Sequence, residues 1–594
     1  MNQKNYGEIV LGRMYRRSFC LNFLGSVTVM INTVADGMIT GHYLGPGPVA
    51  AFGLIVPLYS LMNLIPILLG ASARIRIGSL IGKGHIKGAA TAIKSLMIRG
   101  LIAAVPLFLI FGFFGKDLFL LMGLEGDVSE GLLSLVSDYL LAFSPALFPL
   151  MISPILHPLM IFDGDGRRSP VAIACATGVN IAADILNVKV FNGGMTGMAL
   201  ATTLSCYVEC GVLMAHFARK SAGIRPFGNA ASDPELGKAM VSAAPVMFRE
   251  LTASFAGTAM NIIAYTFGGE STLSAFSVGN SMWPLLYTFG TAIGSTGLEL
   301  GNVSMGECDE HGAASVFRRG IWYCLVPGPV FAVLFGLVSK LFASYSSASD
   351  PLIMMMSERY LHFLAAALPF ASLCQAIESH LMVQKRTMAA TAVAIANGGA
   401  ATMCAALILI RLMGTDGLFG ARLFASLIIV AAAGGAVFIT GAKKKGPHTT
   451  VSVEKGQIKE FETTVFSIED VVGFSEQVRT ACKESKTGMR ISNLAALCIE
   501  EMAGNIIRWG YKNGKERGAD LRVVIEEEKM TIRFRDNGVR FDPGRYIRQF
   551  NEMPHDPAGN IGLRMMAGLV DDMRYICLAD CNVFIITIPL DKLR

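Results

Sequence analysis

From Ser18 to Thr440 apolar stretches of about 20 residues follow one another almost without interruption, and each is long enough to cross about 30 Å of hydrocarbon as a helix. In lipid every backbone N–H and C=O must be satisfied inside the segment, so helices are the solution such a chain can reach. A hydropathy reading places about twelve stretches, roughly 18–40, 49–75, 90–114, 132–160, 170–190, 194–218, 238–265, 271–300, 315–340, 357–383, 388–413 and 418–441. Composition excludes the alternatives. Of 594 residues 52% are hydrophobic and 16% charged, against about 25% charged in a soluble domain, and disorder is excluded on the same ground. The balance of 51 Lys and Arg over 45 Asp and Glu is too mild to argue for nucleic acid. The twelve cysteines include no C-x-x-C pair, and Cys175, Cys206 and Cys324 fall inside apolar runs. They are expected as buried reduced thiols, not as a disulfide framework or zinc site. Met1 to Val10 is polar and lacks a small-residue cleavage site, so no removable signal peptide is expected.

The loops give an orientation. Arg13, Arg16 and Arg17 precede the first stretch, and Arg167-Arg168, Arg219-Lys220, Arg318-Arg319, Lys385-Arg386 and Lys443 to Lys445 fall in every second connection. By the positive-inside rule that side is cytoplasmic, and an even number of spans returns the chain there. Both termini are therefore expected in the cytoplasm of a multi-pass protein of the cell membrane. At Lys443-Lys444-Lys445-Gly446-Pro447 the composition changes, and the remaining residues alternate in polarity like a soluble domain. The expected division is 1–441 in the membrane, 442–459 as linker and 460–594 as a cytoplasmic domain. The membrane part also repeats itself: Ala51-Phe52 matches Ala275-Phe276, Gly82 matches Gly306, and Gly88-Ala89-Ala90 matches Gly312-Ala313-Ala314, always 224 positions apart. Gly194 to Gly197 pairs with Gly414 to Gly417 at an offset of 220. Two six-helix halves of like topology predict a carrier with its substrate path between them.

An ionisable side chain at membrane depth is costly and marks a functional position. Asp36 lies inside the first stretch, and Asp184 stands four residues after Asn180, on one helix face. Oxygen ligands so placed suit a sodium ion or a proton, while the alternative for Asp184 is a place in the membrane interface. Glu209, Glu299 and His157 are further candidates, each open to a purely structural role. The second half has Met260 where the first has Asp36, and Asn397 is followed at i+4 by Ala401, so an ion site is expected in the first half alone.

The segment Asp36 to Gly45, the Gly82-Lys83-Gly84 loop, and Asp163-Gly164-Asp165-Gly166 leading to Asn180, Asp184 and Gly197 to Thr202 together resemble the multidrug and toxic compound extrusion (MATE) family over about 18–441. The resemblance implies two six-helix lobes around a central cavity, alternating access, and export of a small organic, cationic compound driven by Na+ or H+ entry. Carried across residue by residue, it makes Asp36, Asn180, Asp184 and Thr202 the cation-coupling group.

In the tail, Glu501 and Asn505 share a helix face at i and i+4, and a carboxylate beside an amide oxygen can hold magnesium and orient a nucleophile. Asp536-Asn537-Gly538 follows a strand, where a carboxylate can accept from a purine amine. Gly559-Asn560-Ile561-Gly562 opens a helix, a loop suited to phosphate. In this order the three resemble the nucleotide boxes of the histidine-kinase-like ATPase (GHKL) fold, an α/β sandwich, and Phe541-Asp542-Pro543 resembles its anti-sigma-factor serine-kinase branch. That likeness implies ATP and Mg2+ as ligands, Asn505 as metal ligand, Glu501 as the catalytic base or water-orienting group, Asp536 as adenine reader, and Gly538, Gly559 and Gly562 in the nucleotide loops. Trp509 stands where that branch often has His. A histidine kinase is disfavoured, because His448 is the only histidine between Thr440 and Arg490. The expected protein is thus mainly α: twelve transmembrane helices in two lobes, fused to an ATP-binding domain that regulates transport or phosphorylates a cytoplasmic, anti-anti-sigma-like partner. Its rival is a tethered kinase whose membrane part senses a ligand. A pump driven by the tail is the weakest reading, since no Walker loop is present.

Overall fold

The computed structural model describes residues 6–115, 117, 130–219, 223–227, 232–346, 350–442, 459–484, 488–511, 518–526, 528–544, 546–547, 561–570 and 572–590. The first part is helical. It begins with α1 (Tyr6–Ile39), α2 (Pro46–Gly82), α3 (Ile86–Phe113), α4 (Glu130–Phe143), α5 (Leu147–Phe162), α6 (Arg168–Leu186) and α7 (Gly194–Met214). Then come α8 (Leu236–Gly306), α9 (Glu310–Leu325), α10 (Pro327–Ser346), α11 (Pro351–Val383), α12 (Thr387–Ile395), α13 (Ala401–Met413) and α14 (Thr415–Ala442). Among the described residues, ten helical stretches are long and apolar enough to cross a bilayer. The expected stretches 238–265 and 271–300 both lie on α8, which runs for 71 residues and is broken at Gly269, where φ is 71°. At about 1.5 Å per residue an unbroken α8 would far exceed the hydrocarbon thickness, and a left-handed glycine ends one run and starts the next. Large apolar side chains such as Leu337, Leu341 and Phe255 face outward, as they must where lipid is the solvent. All twelve cysteines are free, but contrary to expectation Cys175 is exposed and Cys206, which packs against the edge of the bundle core, is only half-buried.

The repeat extends to the backbone. Gly45 (φ 85°, ψ −170°) and Gly269 (φ 71°, ψ −169°) stand 224 positions apart in one conformation. His85 N–H donates to Leu80 O at 2.8 Å in the turn after α2, and Asp309 N–H to Ser304 O at 2.8 Å in the turn after α8. Those turns meet. A Cβ on Gly82 would lie 2.9 Å from Gly306 Cα, and one on Gly306 would lie 3.0 Å from Gly82 Cα. Mutual contact of equivalent residues is the mark of a local two-fold axis, and only glycine permits the approach. The turns differ in charge: Lys83 and His85 have Glu307 and Asp309 as their counterparts.

The tail folds as a small antiparallel sheet with helices. Strands β1 (Lys459–Val465), β2 (Ala519–Ile525), β3 (Lys529–Asp536), β4 (Asp572–Leu578) and β5 (Cys581–Pro589) lie in the order β1-β2-β3-β5-β4. Helices α15 (Ile468–Glu484), α16 (Met489–Trp509) and α17 (Ile561–Leu569) cover one face, where Leu521, Val523, Ile532, Phe534 and Ile586 form a core with Phe474 and Ile499. Alternate residues point the other way. There Ile576, Leu578, Val583 and Ile585 join the core of the helical bundle instead.

That outer face carries a buried ionic network. Arg533 reaches Glu307 at 2.5 Å, Asp309 at 3.2 Å and Asp520 at 2.7 Å, and Arg535 also pairs with Glu307. Arg522 donates to Cys308 O at 2.7 Å. First-half segments touch the same sheet: Arg17 pairs with Asp580 at 2.9 Å, Ala579 N–H donates to Ile161 O at 3.4 Å, and Gly84 lies under Ile585. The tail therefore seats on loops of both halves at the end of the bundle that bears the basic loops. Outside the membrane, burial alone would raise the Asp309 carboxyl, but the guanidiniums of Arg533, Arg522 and Arg535 outweigh it and hold the group at about 2.

Candidate functional site

Three of the four residues expected to couple ions come together inside the first half. Asn180 on α6 donates from Nδ2 to Asp36 Oδ1 on α1 at 2.7 Å and to Asp184 Oδ2, one turn along its own helix, at 2.8 Å. Asn32 also donates to Asp36, at 3.3 Å. Asn180 and Asp184 are fully buried within the bundle, and Asp36 is 9% exposed. Asn180 Oδ1, Asp184 Oδ1 and Asn32 Oδ1 are buried acceptors without a protein partner. Buried oxygens are normally satisfied, so a cluster of them beside two carboxylates fits a small hard cation or a shared proton. Thr202 does not join: its hydroxyl donates to Met198 O at 3.1 Å.

Glu299, on α8, is bonded across the bundle. It accepts from Ser18 at 2.5 Å and Asn22 at 3.0 Å, both on α1, and from Arg74 on α2 at 3.2 Å, tying the two halves together. His157 pairs with Glu209 at 2.7 Å and with Ser169 at 2.7 Å. Between the halves lies a cavity of about 510 Å³ lined by Met30, Asn63 and Arg74 on one side and by Arg249, Tyr287 and Glu378 on the other. Arg249 bonds Glu378 at 2.8 Å, Gln375 at 2.9 Å and Glu250 at 3.0 Å. Sequence reasoning missed this group, although the rule that singled out Asp36 applies equally to Arg249, Glu250 and Glu378 in their apolar stretches.

In the tail, Glu501 and Asn505 lie half-buried on α16, and Asp536, 5% exposed, ends β3. Asp536 Oδ1 accepts from Gly538 N–H at 2.7 Å and from Asn582 Nδ2 at 2.8 Å, and neither bond uses Oδ2. Asn582 is itself held by the Tyr575 hydroxyl at 2.7 Å. It escaped notice in the sequence, where its signal was one amide in an apolar strand. Burial pushes the Asp536 carboxyl up, against the pull of those two N–H donors. A Cβ on Gly562 would lie 2.1 Å from the Glu501 carboxylate, and one on Gly538 would lie 2.2 Å from Gly510 O. The glycines thus let backbone close on the acidic helix, a cradle that fits a nucleotide. Gly559 lies outside the described residues, and among those described no cluster of three or more His, Cys, Asp or Glu could hold a metal.

The sequence profile of the MatE family matches residues 23–186 and 245–416. The chain belongs to the MatE family. Its two matched segments correspond to the two halves of the bundle, and a histidine kinase-like ATPase domain matches 468–588. Solved MATE structures share the bundle fold. One, an outward-facing conformation of a multidrug resistance MATE transporter of the MOP superfamily, is 18% identical with a TM-score of 0.67 and covers 73% of this chain and 96% of its own. A MOP superfamily transporter from Pyrococcus furiosus, described as having a binding pocket of reverse polarity, is 19% identical with a TM-score of 0.65 and covers 73% and 96%. A Vibrio cholerae MATE transporter is 16% identical with a TM-score of 0.65 and covers 74% and 98%. At these identities the likeness shows fold. Among curated proteins nothing matches the chain by sequence. This MatE protein is a multi-pass membrane protein carrying an ATPase-like tail.

Proposed function

We propose that the protein is a Na+- or H+-coupled exporter of small organic compounds whose ATP-binding tail regulates transport. The observation that carries the exporter reading is the Asp36–Asn180–Asp184 group, with its unpartnered buried oxygens, in a two-lobe bundle that encloses a cavity. The ten apolar stretches and the two runs of α8 support a reading of twelve spans, and the Lys and Arg bias favours a cytoplasmic tail and termini. The charge around the cavity suits a cationic substrate at one place: Arg249 is matched by two carboxylates, Glu250 and Glu378.

For the tail, ATP with Mg2+ would sit on the helix-covered side of the sheet, against Glu501, Asn505, Asp536 and Gly562. Arg535, paired with Glu307, precedes Asp536 on β3 and points to the opposite face. A ligand contact at Asp536 and a contact to the bundle are therefore one residue apart. This, with seating on both halves, favours regulation over a tethered kinase acting on a soluble partner. Proteoliposomes loaded with a fluorescent organic cation test the whole reading: efflux should follow an imposed Na+ or pH gradient and change with internal Mg-ATP. Absence of gradient-driven efflux would reject the exporter, and ATP-dependent phosphorylation of a soluble protein with no effect on efflux would favour the kinase.

A further inference from the structure

Arg422 lies on α14, about 10 Å of helix from its start, inside a candidate membrane span. Arg74 and Arg249, the other guanidiniums lining the cavities, are each matched by carboxylates. Arg422 has no carboxylate within ion-pair distance among the described residues, and its Nε has no hydrogen-bond partner. A guanidinium escaping to the lipid interface would point out of the bundle. This one turns inward and lies over the ring of Trp283, 4.4 Å from its centroid, with Trp283 itself buried. It lines a pocket of about 260 Å³ in the second half, walled by Phe276, Trp283 and Tyr287 and by the amides of Asn280 and Asn397, where the other charged groups, Arg249 and Glu250, are paired with each other.

Stacking on Trp283 uses the face of the guanidinium and leaves its N–H edge free. That edge is the part that grips a carboxylate through two parallel hydrogen bonds, while an aromatic ring attached to the carboxylate would pack on the aromatic wall. We propose that Arg422 is a substrate-specificity residue that binds the carboxylate of an aromatic organic acid in this pocket. The substrate class then includes compounds bearing a negative group, and the inference rests on the exporter reading for its physiological meaning.

The test is made on the full chain in detergent, with Trp322→Phe and Trp509→Phe so that Trp283 is the only indole among the three tryptophans. Quenching by 4-nitrobenzoate should saturate, and its methyl ester should bind at least tenfold more weakly. Arg422→Gln should weaken binding of the acid at least tenfold without altering that of the ester, and Arg422→Lys should fall between. Equal affinity for acid and ester, or unchanged binding in Arg422→Gln, would overturn the proposal. So would displacement by chloride at the affinity of the acid, which would make Arg422 a counter-ion position. Should Arg422→Gln fail to fold, the acid and ester comparison on the unsubstituted residue still decides. Since no gradient is involved, intact binding with no transport in vesicles would reject the exporter reading and leave the pocket assignment standing.

Discussion

Asp36, Asn180 and Asp184 form one unit because a single amide bonds both carboxylates. Asp36→Asn and Asp184→Asn should each abolish gradient-driven efflux while leaving the fold intact, since neutralising either removes the charge that distinguishes the occupied from the empty state. Efflux at the unsubstituted rate in either variant would refute the assignment. In the tail, Gly562→Ala puts a methyl where the Glu501 carboxylate stands, and nucleotide affinity should fall at least tenfold by calorimetry with the circular dichroism spectrum unchanged. Asn582→Ala should act one step away: Asp536 keeps only the Gly538 N–H, so adenine selectivity over guanine should narrow. These positions were unequally legible. Asp36 and Asp184 announce themselves because acids are rare in apolar stretches, whereas Asn582 matters through a bond to a residue 46 positions away, and no local pattern records it.

At the scale of elements, the apolar stretches and the 224-residue repeat were readable because lipid leaves the chain so few options. The outer face of the tail's sheet was not. Arg522, Arg533 and Arg535 look like a solvated stripe on alternating strands, and only the fold brings Glu307 and Asp309 beneath them. Breaking such a buried network by removing one partner typically costs about 3–5 kcal/mol, so Glu307→Gln should release the tail. Energy transfer between dyes on the tail and on the bundle would fall, while far-UV spectra should hold. The pH behaviour has a definite sign. With its folded value lowered to about 2, Asp309 contributes docking stability that is complete above the ordinary carboxylate range of about 3.9 and is lost as pH falls through about 2. Energy transfer should accordingly be constant from pH 8 to pH 5.

For the molecule as a whole, if the tail binds ATP and the bundle couples an ion as proposed, a tail seated on both halves makes the two ligands partners in one equilibrium. Linkage is reciprocal, and a coupling of about 1–3 kcal/mol would shift ATP affinity about 5- to 150-fold between saturating Na+ and none. Identical affinities across Na+ and pH conditions would reject it. Cut from the bundle, the tail exposes Ile576, Leu578, Val583 and Ile585, so residues 459–594 alone should self-associate in sedimentation unless that face is made polar. The charge difference between the two meeting turns carries a further consequence. A surface with near two-fold symmetry offers any asymmetric visitor two equivalent addresses half a turn apart. Acid at 307 and 309 against base at 83 and 85 removes the ambiguity, and Lys83→Glu with His85→Asp should restore it, giving a population split between two seatings.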